Sequence, residues 1–201
     1  MDFVETSLEK RVLILSHCVA QHFDLAQEMI GAAAQHVKLL EMHDAEQLWR
    51  AGDQQDTLYF LVNGTLYGYF ETVDGKVFCK EVYWEQDLIF GFRSLLSGVP
   101  FAYSVKSLEP STLLAMPVKA YQQLLDSFAD WQRFHNTVVA KYFMYKEIKE
   151  EFLLLKTPEQ RVLHFYQEYP ELVAKIPQTI IASYLGITPI SLSRIKKRLS
   201  K

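Results

Sequence analysis

Ile176-Pro177-Gln178-Thr179-Ile180-Ile181-Ala182-Ser183-Tyr184-Leu185-Gly186-Ile187-Thr188-Pro189-Ile190-Ser191-Leu192-Ser193-Arg194-Ile195-Lys196-Lys197-Arg198-Leu199-Ser200-Lys201 carries the strongest local signals of the chain. Residues 178–185 predict a short helix with Ile181, Ala182 and Leu185 on one apolar face. Gly186 supplies the left-handed turn that ends such a helix at little cost. Thr188 suits the N-cap of a second helix and Pro189 its first turn. Ile187, Leu192, Ile195 and Leu199 then mark a buried face, with Ser191, Ser193, Arg194, Lys197 and Arg198 on or beside the other. Small Ala182 lets the two helices approach closely. This is the pattern of a helix-turn-helix, whose second helix enters the DNA major groove.

Charge agrees with that expectation. Residues 189–201 hold Arg194, Lys196, Lys197, Arg198 and Lys201 and no acid, so they carry +5, while the chain as a whole is −3. The other residues therefore carry −8. An acidic body with a basic tip is repelled by DNA except where the tip docks. A basic helix end can also merely complement a helix dipole. The capped, glycine-turned pair ahead of it favours the DNA reading.

At 201 residues, with 49% hydrophobic and 22% charged residues, the chain suits one large or two small domains with a substantial core. Cys18 and Cys79 form no CxxC pair, which leaves neither a disulfide framework nor an iron–sulfur or zinc site. They read as small hydrophobes in a reducing compartment. Met-Asp-Phe-Val-Glu has no basic leader, and Val12 to Leu15 is too short to span a membrane, so a cytoplasmic location is expected.

Residues 2–40 carry helical spacing, in Leu8, Val12, Leu15, Val19 and Phe23 and again in Leu25, Met29, Ala33 and Val37, with Gly31 a candidate break. The rhythm then changes. Short segments at 45–50, 58–62, 65–72, 77–84, 103–107 and 112–116 are rich in Val, Leu, Tyr and Phe. Ala51-Gly52-Asp53, Asn63-Gly64, Asp74-Gly75, Ser97-Gly98-Val99-Pro100 and Glu109-Pro110 punctuate them. That spacing predicts an antiparallel β-roll or jelly-roll. Helical period returns after Pro117, with one helix over 118–126 and a much longer one over 130–156. In the long helix Trp131, Val138, Tyr145 and Phe152 recur every seven residues. Phe134, Ile148 and Leu155 fill the companion position, which Lys141 interrupts. This predicts a coiled-coil-like seam facing a second copy. Thr157-Pro158-Glu159-Gln160 reads as a capped helix start, and Pro170 and Pro177 bracket a connector. The spacing leaves no room for a full β-wing before the helix pair.

The fold class expected is therefore α+β. It comprises N-terminal helices and the β-roll over 1–129, a dimerisation helix over 130–156, and an all-α helix-turn-helix domain over 157–201. This order of parts resembles a transcription regulator of the Crp/Fnr family, with a cyclic-nucleotide-binding-like sensor domain. The resemblance rests on Arg50-Ala51-Gly52-Asp53, Leu58 to Gly64, Asp74-Gly75, Gly91, and Ile181 to Pro189 with Ser193-Arg194. It covers about residue 35 to 201.

The departures are informative. After the glycine matching Gly91, relatives that bind cyclic AMP supply a Glu for the ribose, then an Arg and a Ser or Thr for the cyclic phosphate. Here those positions hold Phe92, Phe101 and Ala102. A buried phosphate without a cation or hydroxyl is costly. The resemblance thus implies a degenerate effector pocket at Gly91, Phe92, Phe101 and Ala102. It would be closed or tuned to a more apolar ligand, and unresponsive to cyclic AMP or cyclic GMP. Arg93 is one residue along, and strand alternation would point it away. No cofactor is predicted. His17, His43 and Cys79 are isolated candidates for haem, and a lone His or Cys is far more often structural.

At the DNA end the resemblance aligns Pro189, Ile190 and Arg194 with base-reading positions. Ile190 stands where many relatives have a Glu and can at most touch a thymine methyl, so Arg194 is the principal base reader. Thr188, Ser191, Ser193 and Lys197 are expected at phosphates or in mixed contacts. The expected dimer interface is Trp131, Phe134, Val138, Tyr145, Ile148 and Phe152. The expected partners are double-stranded DNA and a second copy, with RNA polymerase a further candidate and no membrane. The competing reading is a sensor or interaction module that keeps the fold without binding DNA. An enzyme is disfavoured, because the six histidines are scattered and no phosphate loop, nucleophile elbow or HExxH is present.

Overall fold

The computed structural model describes residues 1–20 and 22–199. Lys201, counted above in the basic tip, lies outside the described residues. The chain begins with β1 (Asp2–Val4), α1 (Leu8–Ala20) and α2 (Gln27–Ala34). Seven strands of the roll follow: β2 (Lys38–Met42), β3 (Gln47–Trp49), β4 (Thr57–Asn63), β5 (Leu66–Glu71), β6 (Val77–Tyr83) and β7 (Leu88–Ile89), then α3 (Phe92–Ser97), then β8 (Ser104–Ser107). β9 (Ser111–Pro117) completes the roll. The helices that follow are α4 (Val118–Ser127), α5 (Ala129–Leu155), α6 (Pro158–Glu168), α7 (Pro170–Lys175), α8 (Gln178–Tyr184) and α9 (Pro189–Leu199).

Two antiparallel sheets, ordered β1-β2-β9-β4-β7 and β3-β8-β5-β6, face one another. Leu40, Met42, Trp49, Leu61, Phe101 and Leu113 are among the side chains filling the space between them. The five-stranded sheet is buried on both faces. Leu39, Leu58, Phe60 and Leu114 point away from the roll interior, onto a layer built from α1, α2, α4 and the first half of α5. Leu15, Ala33, Tyr121, Trp131 and Phe134 are the buried centre of that layer.

The helical reading of residues 2–40 is corrected at both ends, by a strand buried on both faces and by a very short one. In β2, Leu39 joins the helical layer and its neighbour Leu40 joins the roll interior, so the strand shows adjacent leucines rather than polar–apolar alternation. β1 is three residues long and pairs with β2, too short to carry a pattern. Gly31 does not break α2, which runs through it. The stretch between Pro170 and Pro177, read as a connector, contains α7 with Pro170 in its first turn.

β6 is the edge of its sheet, and the register slips between Gly68 and Tyr69 so that Lys80 is the extra residue. Such a bulge re-aims the side chains beside it. The edge is not bare. The Cys79 N–H donates to Ser183 Oγ of α8 at 2.7 Å, and the Lys80 carbonyl accepts from Lys149 Nζ of α5 at 3.1 Å. Tyr67 and Val82 of the roll share one apolar cluster with Val162, Phe165, Leu172, Ile181, Leu192 and Ile195 of the C-terminal helices. Those helices thus pack on the flank of the roll. Among the described residues no strand follows β9.

Candidate nucleic-acid interface and effector pocket

The C-terminal helices are fixed locally by their caps. Thr157 accepts from the Gln160 N–H while the Gln160 side chain accepts from the Thr157 N–H, the reciprocal capping box expected of that tetrapeptide. Gly186 has φ +65°, and the Ile187 N–H reaches back to the Ala182 carbonyl at 2.9 Å. Arg161 of α6 donates to the Leu185 carbonyl, tying the end of α8 down. Thr188 Oγ1 accepts from the Ser191 N–H at 3.1 Å and lies 2.9 Å from Ser191 Oγ, so both residues serve the start of α9.

α9 is two-faced. Leu192 and Ile195 are buried and Ile187 is partly buried, whereas Leu199, expected on that face, is half exposed. Thr188, Ile190, Ser193, Arg194 and Lys197 are exposed and Ser191 is partly so. Two of the basic residues serve the domain itself: Arg198 pairs with Glu159, and Lys196 donates to Gln178 Oε1. Arg194 and Lys197 make no ion pair among the described residues. The structure therefore groups the six sequence-nominated contact residues at one open surface, with two cations uncommitted.

The effector positions separate. Phe101 is buried inside the roll, stacked on Trp49 at 4.3 Å with planes 10° apart. It lies so close to Gly91 that a Cβ there would sit 2.7 Å from the ring. The Gly91 N–H donates to Gln55 Oε1 at 3.1 Å. Phe92 is not inside the roll. It begins α3, stacks on Tyr142 of α5 at 4.6 Å and tilts against Phe90 at 4.7 Å. Ala102 is exposed and lines neither place. Arg93 is also exposed, but because the segment is helical rather than by strand alternation.

The seam on α5 needs a larger correction. Trp131 and Phe134 are completely buried and Val138 nearly so, all against this chain's own roll and helices. Tyr145 and Phe152 also face inward: the Tyr145 hydroxyl reaches Glu81 and Tyr184, and Phe152 packs on His164. Trp131, Phe134 and Val138 are therefore not free to face a second copy, and Tyr145 and Phe152 are partly buried within the chain. Of the nominated residues Ile148 is the outward one, 61% exposed. It belongs to a different stripe with Ala140, Phe143, Met144, Leu154 and Leu155, whose large members are 61–74% exposed. Seven-residue spacing was real on the inner face, but it records packing on the roll.

A joint among β6, α5 and α8 escaped the sequence reading. Glu81 is buried. Its carboxylate pairs with Lys146 and, at 3.2 Å, with Lys149, and accepts from Tyr145 Oη at 2.7 Å. Tyr145 Oη also lies 2.8 Å from Tyr184 Oη of α8. Burial alone would raise the Glu81 carboxyl, but Lys149 and Lys146 outweigh it and hold the group below its ordinary value. Burial pushes the Cys79 thiol beside this joint up to about 12, which leaves it inert at neutral pH. The legible signal was small: an adjacent lysine and acid, Lys80 and Glu81, in a strand whose other residues are apolar or aromatic, and two lysines on the inward side of α5.

A cavity of about 250 Å³ opens between β6, β7 and α5, bounded by Tyr83, Trp84, Phe92, Val138, Tyr142 and Tyr169 among others. Asp87 also lines it, and burial pushes its carboxyl up to about 7.

Residues 39–128 match the cyclic nucleotide-binding domain family. Among curated proteins, the chain is 25% identical over 101 residues to the neuropathy target esterase sws of Drosophila persimilis and 24% identical to that of Drosophila melanogaster. Each match takes in 47% of this chain and 7% of the esterase, so the chain spans a small fraction of those relatives. FixK2 from Bradyrhizobium japonicum superposes with a TM-score of 0.72 at 18% identity, over 82% of this chain and 84% of that one. The c-di-GMP responsive global regulator CLP of Xanthomonas campestris gives 0.71 at 14% identity, over 87% and 92%. A regulator of the Crp/Fnr family from Eubacterium rectale gives 0.71 at 16% identity, over 90% and 88%. These likenesses establish the fold: a cyclic-nucleotide-binding-type roll, a long helix and C-terminal helices arranged as in Crp/Fnr regulators.

Proposed function

We propose that the chain is a sequence-specific DNA-binding transcription regulator of the Crp/Fnr type that acts as a homodimer. The observation that carries this is the open face of α9. Arg194 and Lys197 stand there uncommitted, beside Ser193 and the Thr188–Ser191 cap, while the neighbouring cations are tied into the domain. α8 and α9, joined at Gly186, form the helix-turn-helix, with α9 as the recognition helix. Arg194 reads a base through its forked guanidinium, and Lys197 neutralises phosphate. Phosphate neutralisation gives affinity that falls with salt, as counterions are released.

The second copy packs on the outer stripe of α5. Phe143, Met144, Ile148, Leu154 and Leu155 fall on one side of a helix whose opposite side is already buried, with Met144 and Ile148 one turn apart and Leu155 two turns further on. Large exposed apolar side chains gathered on one face of a helix mark an interaction surface. Two-fold pairing along α5 presents two recognition helices to half-sites about 34 Å apart, one turn of DNA.

Cyclic AMP and cyclic GMP are not the effectors in this reading. Phe101 and Trp49 fill the roll interior beside Gly91, and Arg93 faces solvent, so the position that would carry a phosphate-binding arginine offers an aromatic ring instead of a cation. Titration calorimetry with either nucleotide should give no binding heat; micromolar binding would refute this part.

Selection of bound fragments from random duplex DNA at near-physiological salt tests the whole. A near-palindromic sequence is expected to enrich. Absence of enrichment with and without cell extract would favour a sensor module that keeps the fold without reading DNA.

A further inference from the structure

The cavity between the roll and α5 has no part in the reading so far beyond its location. Its walls are aromatic on three sides. Phe92 and Tyr142 stack nearly parallel, 19° apart, Phe90 tilts against Phe92, and Trp84 lies 5.7 Å from Tyr169. A dry cavity of ~150 Å³ holds one benzene ring. At about 250 Å³ this one suits two fused rings.

Four ionisable groups besides tyrosine line it: Glu81, Asp87, His22 and Lys141. Glu81 is committed to Lys146, Lys149 and Tyr145. The His22 ring bonds to the Gln86 carbonyl at 3.1 Å, and Lys141 donates to the His22 carbonyl at 3.4 Å. Asp87 accepts from the Trp84 N–H through Oδ2 at 3.0 Å. A carboxylate has room for about four donors, so Asp87 keeps acceptor capacity toward the cavity. Two acids and one lysine line the walls, with Lys146 and Lys149 paired to Glu81, and a charged occupant would lose its water among rings.

We propose that this cavity is the effector site of the regulator, and that it takes a neutral, planar aromatic molecule of two fused rings bearing one hydrogen-bond donor. The rings lie along Phe92 and Tyr142, and the donor meets Asp87. This deepens the regulatory reading and rests on it for its consequence, not for binding itself. The walls come from three parts of the molecule: Tyr83 to Phe92 from the roll, Val138 to Tyr145 from α5, and Tyr169 from between α6 and α7. An occupant touches all three at once. It can shift their arrangement by the difference in its affinity for the arrangements available.

Calorimetry on the full-length protein without DNA tests the site, using indole, 1-methylindole and indole-3-acetate. Indole should bind. 1-Methylindole, which lacks the donor, should bind about tenfold more weakly, the worth of one hydrogen bond, and the anionic acetate should be weakest. Asp87→Ala, which removes both acceptor oxygens, should erase the preference for indole over 1-methylindole. Leu88→Phe and, separately, Val138→Phe should abolish indole binding by filling the cavity; either one, if folded with an unchanged melting transition, suffices. No indole binding at millimolar concentration, equal binding of the two indoles, or tightest binding of the acetate would overturn the proposal. These readouts need no DNA, so failure of the DNA selection leaves them interpretable. Indole that binds without changing operator affinity would remove the effector role while the DNA-binding reading stands.

Discussion

Replacing Glu81 by Gln deletes one negative charge from a buried cluster that holds two lysines. The side chain of Lys149 is 13% exposed and that of Lys146 is 30% exposed, so the first stays desolvated after the change while the second recovers water. Breaking a buried pair by removing one partner costs about 3–5 kcal/mol, because the other charge is left uncompensated. Lys146's access to solvent puts the expected loss near the lower end, about 3 kcal/mol. For a chain of this size each kcal/mol moves the melting temperature by roughly 2–4 °C, so Glu81→Gln should melt about 6–12 °C lower near neutral pH. Thermal unfolding followed by circular dichroism reads this directly. Adding Lys149→Met removes the stranded cation. The double variant should therefore be less destabilised than the sum of the singles, by at least about 1 kcal/mol. The sign with pH is also fixed. The folded carboxyl lies below the ordinary 4.5, so its stabilisation is present above that value and is lost as pH falls through the folded one. The gap between wild type and Glu81→Gln should accordingly close in acid. A shift under about 2 °C, or strict additivity, would refute the account of Glu81 as the charge that holds β6, α5 and α8 together.

Arg194→Ala should weaken binding to the selected operator by about 1–3 kcal/mol and relax one base position, whereas Lys197→Ala should weaken all sequences alike and lower the salt slope by about one; titrations at several salt concentrations separate the two. Ile148→Glu with Leu155→Glu should shift the particle to monomer in sedimentation without unfolding it, while Trp131→Ala should lose about 3–5 kcal/mol of stability, since Trp131 is a core residue of its own chain. The Asp87 carboxyl is raised from 3.8 to about 7, so the folded state binds more protons than the unfolded state between those values. Wild-type stability relative to Asp87→Asn should therefore fall as pH rises from 4 to 7 and level off above, as urea midpoints at successive pH values would show.

What the sequence disclosed was governed by local chemistry. The Thr157–Gln160 box, Pro158 and the Gly186 turn could be read because each depends on its own neighbours in the chain. Most strands of the roll were legible from their turns. Three things were not. β2 hid because both its faces are buried, which erases alternation. The place of Phe92 was missed because α3 had no pattern to announce it, and strand geometry was applied to a helix. On α5 the inner and outer faces are both apolar. Periodicity finds a stripe but does not say whether its partner is the same chain or another, and the more regular stripe belonged to the core. On α9, the division into a buried and an open face was readable from the helical period. The commitment of Lys196 to Gln178 and of Arg198 to Glu159, which leaves Arg194 and Lys197 as the open cations, depends on tertiary placement.

The way α8 lies along β6 carries one last implication, for handling as much as for mechanism. Ser183 gives the Cys79 N–H its partner, and Lys149 does the same for the Lys80 carbonyl, so the outermost strand of that sheet is sealed by side chains from two helices. A strand stripped of such a seal is a template for another strand, and misassembly starts at templates of that kind. Any shortened version that ends before residue 178 uncovers the Cys79 end of β6. Its tendency to self-associate into sheet-rich aggregates would then measure how far the C-terminal helices protect this sheet edge.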